Sequence, residues 1–127
     1  MSSYLVDTDV FIWYLRKNKK ARELFHKIDF SISSVTYMEL IQGMRNKEEL
    51  NLLNKMIREW KIDVILVDEN INSKAIFYMQ EYFLSHSMQL ADSLIAATCS
   101  INGLTLISGN DKHYKMLNID MIVFRPQ

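Results

Sequence analysis

The sequence predicts an α/β fold in which a parallel sheet is covered by helices on both faces. Three observations carry this expectation. Apolar runs of three to five residues alternate with helix-like stretches along the whole chain, the pattern of strands joined by helical crossovers. Val64-Ile65-Leu66-Val67 and Leu104-Thr105-Leu106-Ile107 are nearly continuous in apolar character, as strands buried on both faces are. The 127 residues, 49% of them hydrophobic, suffice for one core, and with one Pro and three Gly no stretch has the make-up of a flexible linker. A single domain over 1–127 is expected.

The elements follow in order. Tyr4-Leu5-Val6 reads as a first strand (4–6), and Asp7-Thr8-Asp9 as a turn in which Asp9 is the favoured N-cap of a helix over 10–17. A second helix covers 20–28, and Phe30-Ser31-Ile32-Ser33 forms the next strand (30–33). Thr36-Tyr37-Met38-Glu39 matches a capping box opening a helix over 36–44. The stripe Leu50, Leu53, Ile57 and Trp60 places a helix over 47–60, facing the core or a subunit interface. A strand over 63–67 and a helix over 70–85 come next. The helix over 90–102 is apolar on nearly every side and belongs in the interior. Strand 104–107, the turn Ser108-Gly109-Asn110-Asp111, helix 111–117 and strand 120–124 complete the chain.

Composition excludes several classes. Fifteen basic and fifteen acidic residues give zero net charge, so the overall field gives no reason to expect nucleic acid. Six of the fifteen basic residues (Arg16, Lys17, Lys19, Lys20, Arg22, Lys27) nevertheless fall in one stretch. Such a run is usually a solvated helix end, but a basic rim beside an acidic pocket suits a phosphate backbone. No apolar segment is continuous enough for a bilayer span and no signal-peptide pattern opens the chain. The lone Cys99 excludes an internal disulfide, so a cytoplasmic location is expected.

Four acids stand at the ends of these elements: Asp7, Glu39, Asp92 and Asp111. Asp7, Glu39 and Asp111 each follow a strand-like run and precede a helix, and in open α/β sheets ligands bind outside the carboxyl ends of the strands. With the cap role assigned to Asp9, Asp7 has no evident structural task. Glu39 competes with its capping box. Asp92 has Ala96 and Cys99 on its own face with Ile95 beside them, and burying an unpaired carboxylate there would cost several kcal/mol. Asp111 shares its turn with Asn110, whose carbonyl oxygen can also ligate. Clustered, these acids would bind one or two hard cations such as Mg²⁺ or Mn²⁺, and two such ions hydrolyse phosphodiesters without a His or Lys base. No Ser-His-Asp arrangement, His-x-x-x-His pair, Gly-x-Gly-x-x-Gly or Walker loop is recognisable. His26 and His86 read as surface or structural groups, and Cys99 as a small buried hydrophobe.

Val6-Asp7-Thr8-Asp9-Val10, Ser34 to Gly43 around Glu39, Leu90 to Ala97 around Asp92, and Ser108 to Tyr114 together resemble the ordered motifs of PIN domains, most closely those of VapC-type toxins. The resemblance implies a three-layer α/β/α sandwich with a central, mostly parallel sheet and a Mg²⁺- or Mn²⁺-dependent ribonuclease. It places catalytic and metal-ligand roles on Asp7, Glu39 and Asp92, with the fourth on Asn110 or Asp111, and supporting roles on Thr8 and Ser108. Ser108 stands where the family usually has Thr and is expected to hold a metal-bound water. It further implies an RNA substrate, a cognate antitoxin and a homodimer. Two rivals remain at this stage. One is a haloacid-dehalogenase-like phosphatase using Asp7-Thr8-Asp9, which leaves Glu39 without a role. The other is a non-catalytic PIN-like module that binds RNA or protein.

Overall fold

The computed structural model describes residues 2–126. Among them five strands are joined by seven helices, the first three connections each carrying two: β1 (Tyr4–Val6), α1 (Thr8–Leu15), α2 (Lys19–Lys27), β2 (Ser31–Ser33), α3 (Ser34–Gln42), α4 (Lys47–Glu59), β3 (Asp63–Ile65), α5 (Glu69–His86), α6 (Leu90–Asn102), β4 (Thr105–Ser108), α7 (Asp111–Tyr114) and β5 (Met121–Val123). The strands form one sheet in the order β3-β2-β1-β4-β5, and every pairing is parallel. The chain lays β2 and β3 on one side of β1, then returns to place β4 on the other side. That reversal makes the carboxyl ends of β1 and β4 a topological switch point, where the sheet opens a crevice.

Alternation along the strands divides the core into two layers, because successive side chains point to opposite faces. Leu5 and Leu106 face a cluster with Ile71, Ala75 and Tyr78 of α5 and Ile95, Ala96 and Cys99 of α6. Val6, Ile32 and Ile107 face the other way, against Val10 and Phe11 of α1, Phe25 of α2 and Leu53 of α4. The expected α/β/α sandwich is therefore realised, with a wholly parallel sheet. Helix ends are fixed by side chains: Asn18 caps α2 through Ala21 N–H, Asn46 caps α4 through Glu49 N–H and Asp68 caps α5 through Ile71 N–H. Gly103, at φ 63°, supplies the left-handed residue that ends α6.

Two expectations change. The run Val64 to Val67 is not a buried strand; β3 is an edge strand that stops at Ile65, and Leu66 beyond it is 71% exposed. An edge strand has a neighbour on one side only, so its apolar composition overstates its burial. Helix α7 is a single turn rather than the seven residues of 111–117, because the chain turns after Tyr114, with Leu117 N–H donating to Tyr114 C=O, and returns Leu117 to the core. Among the described residues, no helix is long and apolar enough to cross a membrane.

Candidate active site

Asp7 sits where β1 ends and α1 begins. Its N–H completes the sheet by donating to Ile107 C=O (2.9 Å), and as N-cap its Oδ1 accepts from Thr8 N–H (2.8 Å). The cap role thus belongs to Asp7 and not to Asp9, because helical geometry begins at Thr8, two residues earlier than expected. Oδ2 of Asp7 points into the crevice, where it accepts from the hydroxyls of Ser108 (2.8 Å) and Tyr114 (3.0 Å). Asp7 is 4% exposed and forms no ion pair among the described residues. Burial holds its pKa above the usual carboxylate range, and the nearby Asp92 charge adds to the rise, against three hydrogen bonds that lower it.

Asp92 enters from the first turn of α6, above the apolar face of Ile95, Ala96 and Cys99. Its Oδ1 accepts from Tyr114 Oη (3.1 Å), and its Oδ2 lies 3.0 Å from His113 Nδ1. Burial raises its pKa too; His113 and the Tyr114 hydroxyl oppose the rise, and the charge of Glu39 reinforces it. The first turn of α6 also stabilises a negative charge through the helix dipole.

Glu39 projects from α3. The capping box anticipated around it does not form: α3 begins at Ser34 with Ser33 as N-cap, whose hydroxyl accepts from Val35 N–H (3.1 Å). Thr36 is fully buried inside the helix, 2.9 Å from Thr8 Oγ1, and Thr8 donates to Glu39 Oε1 at 2.6 Å. Released from capping, Glu39 is free to face the crevice.

The fourth position divides. Asp111 pairs with Arg125, while Asn110 is exposed, its N–H donating to Ser108 Oγ (3.0 Å) and its C=O accepting from His113 N–H (3.0 Å). Ser108 therefore accepts from Asn110 and gives its one proton to Asp7, which fixes the carboxylate from the β4 side. Three participants escaped the sequence reading. Asp9, read as a cap, binds Val10 N–H (2.8 Å) and Gly109 N–H (3.0 Å), tying α1 to the β4–α7 turn. Burial, then the charge of Asp7, pushes its pKa up to about 6. His113 and Tyr114 were the other two. Their only sequence signal was spacing, two and three residues past Asp111 in a one-turn helix.

Chemically, the crevice gathers carboxylates and hydroxyls, the oxygen donors that hard cations prefer. Among the described residues no three Asp, Glu, His or Cys side chains already enclose a single ion position, since a phenol bridges Asp7 and Asp92. An ion that keeps several waters requires only one or two protein carboxylates.

The PIN-domain profile matches residues 4–118. Ribonuclease VapC10 of Mycobacterium tuberculosis is 33% identical over 117 residues, which cover 88% of this chain and 86% of that protein. DNA-bound VapBC from Salmonella typhimurium superposes with a TM-score of 0.83 over 97% of this chain and 98% of the other, at 22% identity. A toxin–antitoxin complex from Klebsiella pneumoniae gives 0.78 over 95% and 97%, at 24% identity. At such identities the structures speak for the fold. The profile, however, runs from β1 past α7 and so contains Asp7, Glu39, Asp92 and the Ser108 turn, and on that ground the chain belongs to the PIN-domain family.

Proposed function

We propose that this chain is a metal-dependent endoribonuclease and the toxin of a toxin–antitoxin pair, with Asp7, Glu39 and Asp92 holding Mg²⁺ or Mn²⁺. The observation that carries the reading is the buried carboxylate of Asp7 and the half-buried one of Asp92, joined through one phenol, both with raised pKa and neither paired with Lys or Arg among the described residues. A site built this way favours added positive charge. The identity to a ribonuclease supplies the substrate class.

When bound, the ion supplies a water activated at neutral pH and offsets charge on the RNA phosphate. The chain's own residues set the frame for it. Ser108 and Thr8 N–H fix the two oxygens of Asp7, Thr8 Oγ1 orients Glu39, and Tyr114 keeps Asp7 and Asp92 within one hydroxyl of each other. Basic side chains beside the crevice, Arg16 and Arg125, would align the RNA backbone.

The phosphatase alternative needs Asp9 free beside a nucleophilic Asp7, whereas both oxygens of Asp9 are held by backbone N–H groups. Structural neighbours described as toxin–antitoxin complexes support an antitoxin partner. The exposed Phe77, Phe83 and Leu84 of α5, the last 93% exposed, offer an apolar surface for the second copy of a homodimer. The test of the central reading is RNA cleavage by the wild type and Asp92→Asn in Mg²⁺, Mn²⁺ or EDTA. Cleavage confined to the wild type with a divalent ion is expected, and equal activity in all conditions overturns the mechanism.

A further inference from the structure

Beside the acids, a groove of about 520 Å³ runs between α1 and the segment after β5, lined by Asp9, Trp13, Arg16, Gly109, Asn110 and Arg125 among others. Asp9 and Gly109 form its inner end, joined by the Gly109 N–H to Asp9 hydrogen bond, so the groove opens directly from the turn that carries Ser108. We propose that it binds the nucleotide next to the scissile phosphate, with the Trp13 indole under the base and Arg16 and Arg125 on the flanking phosphate. The proposal rests on the nuclease reading of the adjoining acids and names where its substrate lies.

Three features make the groove fit a nucleotide. Trp13 is held in place, its ring 6.2 Å from that of Phe124 and pressed so closely on Gly109 that a Cβ there would lie 2.7 Å from its Cη2. A fixed aromatic plate stacks any base without sequence preference. Arg16 lies three residues beyond Trp13 at the C-cap of α1, on the same side of the helix, and its guanidinium has no carboxylate partner among the described residues. On the far wall, Arg125 is anchored by Nε donating to Gly109 C=O (3.1 Å) and by Asp111. An anchored and a free guanidinium on either side of an indole offer bidentate phosphate contacts that lysines do not. They also break the otherwise acidic surroundings, which would repel RNA. The basic stretch from Arg16 to Lys27 therefore meets the site through Arg16.

The test uses intrinsic fluorescence and kinetics together. In a Trp60→Phe background Trp13 is the sole tryptophan, so with selective indole excitation a short single-stranded RNA titrated in EDTA should quench it, and Arg16→Ala should raise the apparent Kd about tenfold and flatten its salt dependence. In the metal-loaded protein Arg16→Ala should raise KM about tenfold with kcat within about twofold, and Trp13→Phe should retain more binding than Trp13→Leu. Quenching in EDTA by a protein that cleaves no RNA with any ion would leave the groove standing and sink the nuclease reading. Cleavage with no quench, and with KM unmoved in Arg16→Ala, overturns the groove. So does equal quenching by hexaglutamate, which would mark a site for an acidic peptide.

Discussion

The Tyr114 hydroxyl donates to Asp7 Oδ2 at 3.0 Å across 107 residues of sequence, and the same oxygen lies 3.1 Å from Asp92 Oδ1. Tyr114 is 1% exposed, and burial together with the two acids pushes its own pKa upward, so it stays a phenol and a donor. A phenol has one proton and cannot fully satisfy two ionised carboxylates. The second contact becomes favourable when a proton or a cation neutralises one of them. The bridge is therefore a gauge of positive charge in the crevice.

Tyr114→Phe keeps the ring in the core and removes the shared donor. Asp7 retains Thr8 N–H and Ser108 Oγ, so the loss is that of a hydrogen bond to a charged group, roughly 1.5–3 kcal/mol. Urea denaturation in EDTA should show a loss of about this size, partly restored by Mn²⁺. An unchanged midpoint would remove the bridging role.

Acid should stabilise the metal-free protein. The folded-state pKa values of Asp7, Asp9 and Asp92 lie above the ordinary carboxylate range, Asp9 at about 6, so the folded state binds protons more tightly than the unfolded one. The stability these groups contribute is fully present below about pH 3.8 and is lost as pH rises through about 6 for Asp9. In EDTA, this set should lower Tm as pH rises from about 3.8 through about 6. Saturating Mn²⁺ should flatten or invert that slope, because metal binding displaces the protons. The same downward slope with and without Mn²⁺ would show that the ion does not bind these acids.

Gly109→Ala tests the wall between site and groove. The added Cβ would meet Trp13 Cη2 at 2.7 Å, Asp9 Oδ2 at 2.9 Å and Phe124 O at 3.0 Å, the last a backbone atom that cannot rotate away. Overpacking of this kind costs about 1–3 kcal/mol. The variant should melt lower and lose the Asp9–Gly109 hydrogen bond, which favours the ionised carboxylate, so the Asp9 pKa should rise further by NMR titration. A fully stable variant with an unaltered Asp9 titration would show that the turn yields easily.

Much of this was legible in the chain. The order and type of all twelve elements follow from periodicity and turn chemistry, with helix starts marked by capping residues such as Asn18, Asn46 and Asp68, although β3 and α7 end earlier and α1 begins earlier than the pattern places them. Asp92 drew notice because Ile95, Ala96 and Cys99 on its face are buried, and the structure places it half-buried beside Tyr114 and His113. What local sequence could not supply was competition between equivalent donors. Thr36 and Ser33 both qualify as caps for α3, and the choice fell to Ser33 because Thr36 is drawn into the core beside Thr8. Tyr114 was hidden for a related reason: an aromatic after a turn usually packs, and only its distant partners show that its hydroxyl has a task.

Asp111 and Asn110 shared one place in the sequence, and their surroundings now separate them by charge. Asp111 is neutralised by Arg125, so Asp111→Asn breaks a partly exposed pair worth little to stability, about 0–1 kcal/mol, and removes no hydrogen bond to Asp7, Glu39 or Asp92. Asn110 projects into solvent beside the Trp13 groove, with its amide side chain unengaged. The expected ranking of kcat/KM on RNA follows. Asp92→Asn should fall by at least about a hundredfold, as removal of a group acting on the transition state does. Asn110→Ala should fall less, and Asp111→Asn by under about tenfold, mainly through KM as Arg125 loses its anchor. A loss in Asp111→Asn equal to that in Asp92→Asn, expressed in kcat, would mean that Asp111 leaves Arg125 and joins the acids when metal and RNA are bound.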